Sequence, residues 1–116
     1  MIVMIFVFVE DGSLDIVSDI DEVRKNYEGI DVESGVFQFF DENGQFLEPR
    51  FTKPNKKGRF LGIFEWVESG EFELVPAGET ISENILDYLN ETGDLKPNPW
   101  FSSLDEVRRY LEDRMK

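Results

Sequence analysis

Two turn signals inside one aromatic block constrain this chain more than any other feature. Residues 36–76 hold eight of the eleven phenylalanines. Asn43-Gly44 is flanked by Phe37, Phe39 and Phe40 on one side and by Phe46, Leu47 and Phe51 on the other. A type I′ turn needs positive φ at both central residues, and Asn-Gly is the pair that tolerates it best. Ser69-Gly70 sits in the same way between Phe64, Trp66, Val67 and Phe72, Leu74, Val75. Large aromatic side chains suit a pleated, half-buried surface. The block therefore reads as two consecutive hairpins. A two-residue turn at Asn43-Gly44 pairs Phe40 with Leu47 and Val36 with Phe51, and it puts Phe37, Phe39 and Phe46 on the opposite face. Pro49 lacks an N–H, so its strand lies at an edge or breaks there. A turn at Ser69-Gly70 pairs Val67 with Phe72 and Phe64 with Val75, with Glu68 set opposite Glu71.

The rest of the chain supplies one more strand and three helices. Ile2 to Val9 is apolar throughout and lacks alternation, as expected of a central strand buried on both faces. A helix over 19–27 starts at Asp19 with Glu22 in the capping-box position and stops near Gly29. Residues 30–32 read as a short strand. A second helix over 80–93 starts on Thr80 and Glu83 and carries Ile81, Ile85, Tyr88 and Leu89 as its apolar stripe. Pro97 and Pro99 enforce an extended connection, with Trp100 and Phe101 clamping the last helix. That third helix, 103–115, starts on Ser103 and Glu106. Ser18 to Lys25 resembles Ser102 to Arg109 residue by residue, with acids first and bases later, as the helix dipole favours. The expectation is one α+β domain, with an antiparallel-dominated sheet of about five or six strands packed with three helices. A chain of 116 residues buries roughly two thirds of its unfolded surface and needs no metal or disulfide to fold.

Composition narrows the chemistry. There is no cysteine and no histidine. Thiolate chemistry, sulfur-based zinc sites and the commonest general base are thereby excluded. No stretch has the spacing of a calcium loop, so no metal or cofactor is expected. The apolar N-terminal run has no basic flank and no small-residue cleavage site. It is also too short to span a bilayer as a helix, so the chain reads as cytoplasmic and unattached to membrane.

The formal charge is −13, which repels nucleic-acid phosphate and attracts basic proteins. Its distribution is uneven. Residues 50–59, RFTKPNKKGR, hold five of the twelve basic residues and no acid. With Pro54, Asn55 and Gly58 they read as a loop, and Lys53, Lys56, Lys57 and Arg59 form a possible anion contact. Residues 65–94 hold nine acids and no base. Glu79, Glu83, Asp87 and Glu91 recur every fourth residue and would line one helix stripe, where like charges repel unless a cation answers them. Glu65, between Phe64 and Trp66, is the one acid whose neighbours suggest desolvation.

These features favour a small acidic module that engages a basic protein partner through Glu79, Glu83, Asp87 and Glu91. Two other classes stay open: an accessory domain that self-associates through the hairpin aromatics as a monomer–dimer system, and a small carboxylate enzyme built on Glu65. In size, acidity and lack of catalytic residues the chain is similar to small bacterial immunity and inhibitor proteins that neutralise basic toxins. That resemblance is one of general character and assigns no residue.

Overall fold

The computed structural model describes residues 4–60, 62, 64–77 and 84–115. Of Ile30, Arg59, Phe60 and residues 64–67, only the backbone is described. The strands are β1 (Ile5–Val9), β2 (Ser13–Val17), β3 (Phe37–Asp41), β4 (Phe46–Lys53), β5 (Lys56–Phe60), β6 (Phe64–Glu68), β7 (Glu71–Pro76) and β8 (Asp94–Leu95). The helices are α1 (Ile20–Asn26), α2 (Gly29–Ser34), α3 (Ile85–Asn90) and α4 (Leu104–Arg114). Six strands form one mixed, mostly antiparallel sheet in the order β7-β4-β3-β1-β2-β8, and β5 pairs with β6 apart from it. The α+β class is as expected, with four helices among the described residues in place of three.

β1 sits inside the sheet, between β2 and β3. Its alternate residues feed two separate cores. Phe6 and Phe8 join Leu14, Ile16 and Phe40 under Ile85 and Leu89 of α3 and Val107 and Leu111 of α4. Ile5 and Val7 join Val17, Phe39, Leu47 and Phe72 under Val23 and Tyr27, in and just after α1, and Val32 of α2. This is why the segment reads as an unbroken apolar run: helices cover both of its faces. Fully burying such side chains is worth about 1.5–3 kcal/mol each.

The starts of α1 and α4 follow the local rules. The Asp19 carboxylate accepts the Glu22 N–H at 2.8 Å, and Ser103 Oγ accepts the Glu106 N–H at 3.2 Å. In each case the glutamate reaches back one residue further than a simple capping box. Glu22 accepts the Ser18 N–H at 2.9 Å, and Glu106 accepts the Ser102 N–H at 3.0 Å. The two similar octapeptides thus build the same cap on opposite faces of the sheet. Trp100 and Phe101 do clamp α4: both pack on the first core, and the Phe101 and Tyr110 rings stand 5.3 Å apart.

Several sequence expectations are corrected. Residues 13–17 form β2, where the sequence signals no strand. Residues 30–32 lie in α2, not a strand, and Gly29 begins that helix instead of stopping α1, which ends at Tyr27. The first hairpin is slipped by one residue, so Phe40 opposes Phe46 and Phe39 opposes Leu47. The Asp41 carboxylate causes the slip. It accepts the Asn43 N–H at 2.8 Å and the Gln45 N–H at 2.9 Å, closing a three-residue loop with Gly44 at φ 82°. A one-residue slip exchanges faces, so Phe46 joins the core of Phe40 while Leu47 and Phe51 join that of Phe37 and Phe39.

The second hairpin is not a hairpin at Ser69-Gly70. β7 returns to β4, with Phe51 opposite Phe72 and Pro49 opposite Leu74. β4 meets β3 only at Phe46 and Leu47, so at Pro49 it has β7 as its sole neighbour and the missing N–H breaks no β3 ladder. Lys53 opposes Glu71, and three residues further along each strand the pairing resumes with Lys56 opposite Glu68. Residues 46–76 are therefore one long ribbon that doubles back between Phe60 and Phe64. Its base belongs to the sheet, and its distal half pairs with no other strand among the described residues. Five residues of β5 extend about 16 Å, in keeping with principal extents of 55 × 29 × 27 Å.

Candidate functional site

The basic stretch 50–59 is mostly strand, and the backbone register sets four of its five bases opposite glutamates. Arg50 lies in register with Glu73, Lys53 with Glu71, Lys56 with Glu68 and Arg59 with Glu65. Lys53 Nζ also reaches Glu68 Oε1 at 3.8 Å. Opposite charges facing across a ladder stabilise it by roughly 0.2–1 kcal/mol per pair. The loop expected of residues 50–59 is therefore replaced by two strands, β4 to Lys53 and β5 from Lys56. Lys57 opposes Val67 and is the base of this ribbon without an acidic register partner among the described residues. Lys56 and Lys57 line a cleft of about 300 Å³ with Glu33, Ser34 and Asn55, where the ribbon leaves the sheet.

That joint is held by Asn55. Its Oδ1 accepts the Gly70 N–H at 2.7 Å, and its Nδ2 donates to Gly29 O at 3.0 Å and to the Glu33 carboxylate. A Cβ on Gly70 would stand 2.0 Å from Lys53 O, so the strands meet there only because the residue is glycine.

The acidic stripe is described only in its second half. Asn84 is extended, at φ −106° and ψ 117°, and caps α3 by accepting the Leu86 N–H at 2.9 Å. The helix with Asp87 thus starts after residue 84, and Glu91 is its C-cap. Asp87 and Glu91 are exposed. Glu79, Glu83 and the Thr80 cap lie outside the described residues. Glu65 is placed by its backbone on the distal ribbon, and its side chain lies outside the described part.

The structure brings Glu91 to acids that sequence reading does not group with it. The β1–β2 turn is tight: the Gly12 N–H donates to Val9 O at 3.0 Å, and Gly12 takes φ 89°. Gly12 O then accepts the Gly93 N–H at 2.9 Å, tying the segment after α3 to this turn. Glu10, Asp11, Glu91 and Asp94 consequently gather at one end of the sheet. Asp11 is engaged by Ser13, whose Oγ–H and N–H donate to its carboxylate at 2.6 and 2.9 Å and hold it below the usual carboxylate range.

Glu10 and Glu91 face a cleft of about 280 Å³. Phe8 and Val9 of β1, Gly12, Gly35 and Val36 before β3, Gln38 of β3, and Tyr88 and Thr92 at the end of α3 complete its lining. No lysine or arginine lines it among the described residues. Three other bases are engaged elsewhere. Arg24 donates to Phe72 O at 2.8 Å and pairs with Asp21 at 3.3 Å. Arg114 holds Asn43 at 2.8 Å and Glu42 at 3.8 Å, and Lys96 lies 5.9 Å over the Tyr27 ring. The cleft therefore joins an apolar floor to two carboxylates that carry no counter-ion among the described residues. Such a form suits a cationic side chain with an aliphatic stem.

Sequence reading missed Glu10, Gln38 and Thr92 as site residues because three separate segments contribute to this cleft. Among the described residues, no group of three carboxylates converges as a metal site would, and no helix is long and apolar enough to cross a membrane. Comparison with protein-family models, with curated proteins and with solved structures found no match.

Proposed function

We propose that this protein is a binding module that performs no chemistry itself and receives a cationic segment of a basic protein partner at its acidic end. The observation that carries the reading is the cleft bordered by Glu10 and Glu91, negative and unanswered among the described residues, in a chain whose ribbon sets four of its five bases in register with glutamates. Exposed carboxylates of this kind raise the association rate more than the final affinity, and salt weakens the effect. Inhibition of a basic toxin-like protein is the narrower form of this reading.

The self-association reading draws on the hairpin aromatics. Phe39 is buried, and Phe37 and Phe46 pack against the two cores, which favours the partner reading instead. The test is calorimetric titration of the full chain with a short lysine- and arginine-rich peptide. The double variant Glu10→Gln, Glu91→Gln should bind about tenfold more weakly at low salt. Equal affinity of the variant, or binding indifferent to ionic strength, would overturn the reading.

A further inference from the structure

Asn43-Gly44 carries a chemistry of its own besides forming a turn. It is the one place in the chain where an asparagine precedes a glycine. Glycine has no side chain to shield its backbone nitrogen, so that nitrogen can close a five-membered ring onto the amide carbon of the asparagine before it. Asn43 is exposed, and the water that completes the reaction has free access. In this fold both reacting groups are held. The Gly44 N–H donates to Asp41 O at 3.1 Å. Arg114, the last residue of α4, donates to Asn43 Oδ1 from Nε at 3.2 Å and from Nη2 at 2.8 Å. The same Nε donates to Glu42 O at 3.1 Å, so one guanidinium ties down the turn's backbone and its side-chain amide together. Gly44 is also packed from α4: a Cβ there would stand 2.9 Å from Met115 Sδ.

We propose that Asn43 is a site of spontaneous deamidation and that Arg114 restrains its rate. The Gly44 nitrogen attacks Asn43 Cγ and forms a new C–N bond while losing its proton. The Cγ–Nδ2 bond breaks, and the nitrogen leaves with that proton as ammonia. Water then opens the cyclic imide at either carbonyl. One opening leaves an ordinary aspartate, the other a β-linked isoaspartate whose main chain is one carbon longer. Either product adds a negative charge beside Arg114. The β-linked product also stretches the loop that the Asp41 carboxylate closes through the Asn43 and Gln45 N–H groups. Arg114 acts on this reaction in two directions. Its bonds to Oδ1 draw electron density from Cγ, which favours attack. The same bonds oppose rotation of the amide, and its bond to Glu42 O opposes movement of the turn. Restraint wins, because the ring cannot close while the Gly44 N–H stays on Asp41 O.

The test incubates the full chain in warm, mildly alkaline buffer and follows the peptide that contains position 43 by mass spectrometry. Deamidation raises its mass by one unit, and Asn43→Gln should abolish the gain. The parent unfolded in guanidinium chloride is the unrestrained reference and should react faster than the folded parent. Arg114→Ala should deamidate roughly tenfold faster than the parent when folded, as loss of hydrogen bonds from a charged group implies, and at the parent's rate when unfolded. Tyr110→Phe is the control: it removes another bond from α4 to the turn, from the Tyr110 hydroxyl to Glu42 at 3.1 Å, without touching Asn43. Its rate should stay near the parent's. No mass gain at position 43 in the unfolded parent overturns the site. Equal rates for folded and unfolded parent overturn the restraint, and that comparison needs no variant to fold. An unchanged or slower rate in Arg114→Ala, or equal acceleration in Tyr110→Phe, overturns the part given to Arg114.

Discussion

Asn55 and Gly70 are joined by a 2.7 Å hydrogen bond at the point where the long ribbon leaves the sheet. The same amide holds α2 through Gly29 and Glu33. Asn55→Ala removes all three bonds from a half-buried site and should cost about 1–3 kcal/mol. Gly70→Ala should cost more, because the new methyl meets the backbone carbonyl of Lys53 and not a flexible side-chain end. Urea unfolding of both variants checks the order. A neutral Gly70→Ala would contradict the close approach.

The two similar helix starts predict similar energetics. Asp19→Ala and Ser103→Ala should each destabilise by about 1 kcal/mol. Glu106 adds a pH dependence. Hydroxyl and N–H donation from Ser102 holds its carboxyl below the ordinary range. A depressed folded-state value means that the contribution is complete above the unfolded carboxylate value and is lost as pH falls through the folded one. The acid limb of stability should therefore be shallower in Glu106→Gln, as read by urea midpoints from neutral pH downward.

Tyr27 predicts the opposite limb. Burial, and then donation of its hydroxyl proton to Asp15, push its ionisation well above that of a free tyrosine. A raised folded-state value means that the contribution is complete below the unfolded value, near ~10, and is lost as pH rises through the folded one. Tyr27→Phe should cost about 1 kcal/mol at neutral pH and lose less stability in alkali than the parent. Parallel curves for the two proteins above the unfolded value would sink the assignment.

What was legible in the sequence was local or periodic. Asp19, Ser103, Glu22 and Glu106 announce their helices because a cap is decided within four residues. The unbroken apolar run of β1 announces a strand covered on both sides. The register of the first hairpin is misread when the turn is judged from Asn43-Gly44 alone, because Asp41 supplies the carboxylate that closes the loop. Residues 50–59 look like a loop because Pro54, Asn55 and Gly58 are turn formers. The signal that corrects this is a mirror order of charge: Arg50, Lys53, Lys56 and Arg59 are answered by Glu73, Glu71, Glu68 and Glu65 about a common tip. The cleft is invisible for another reason. Glu10, Gln38 and Glu91 have no fixed spacing, and only the sheet brings them together.

Dependence of both cores on β1 has a consequence for the chain as it is made. Phe6, Phe8, Leu14, Ile16 and Phe40 all precede residue 41, yet the helices that cover them span Ile85–Asn90 and Leu104–Arg114. At roughly 5–20 residues per second of synthesis, that aromatic surface stays wet on the ribosome for several seconds. Burial of this first core is therefore expected to be among the last steps of folding during synthesis, after α3 and α4 have emerged.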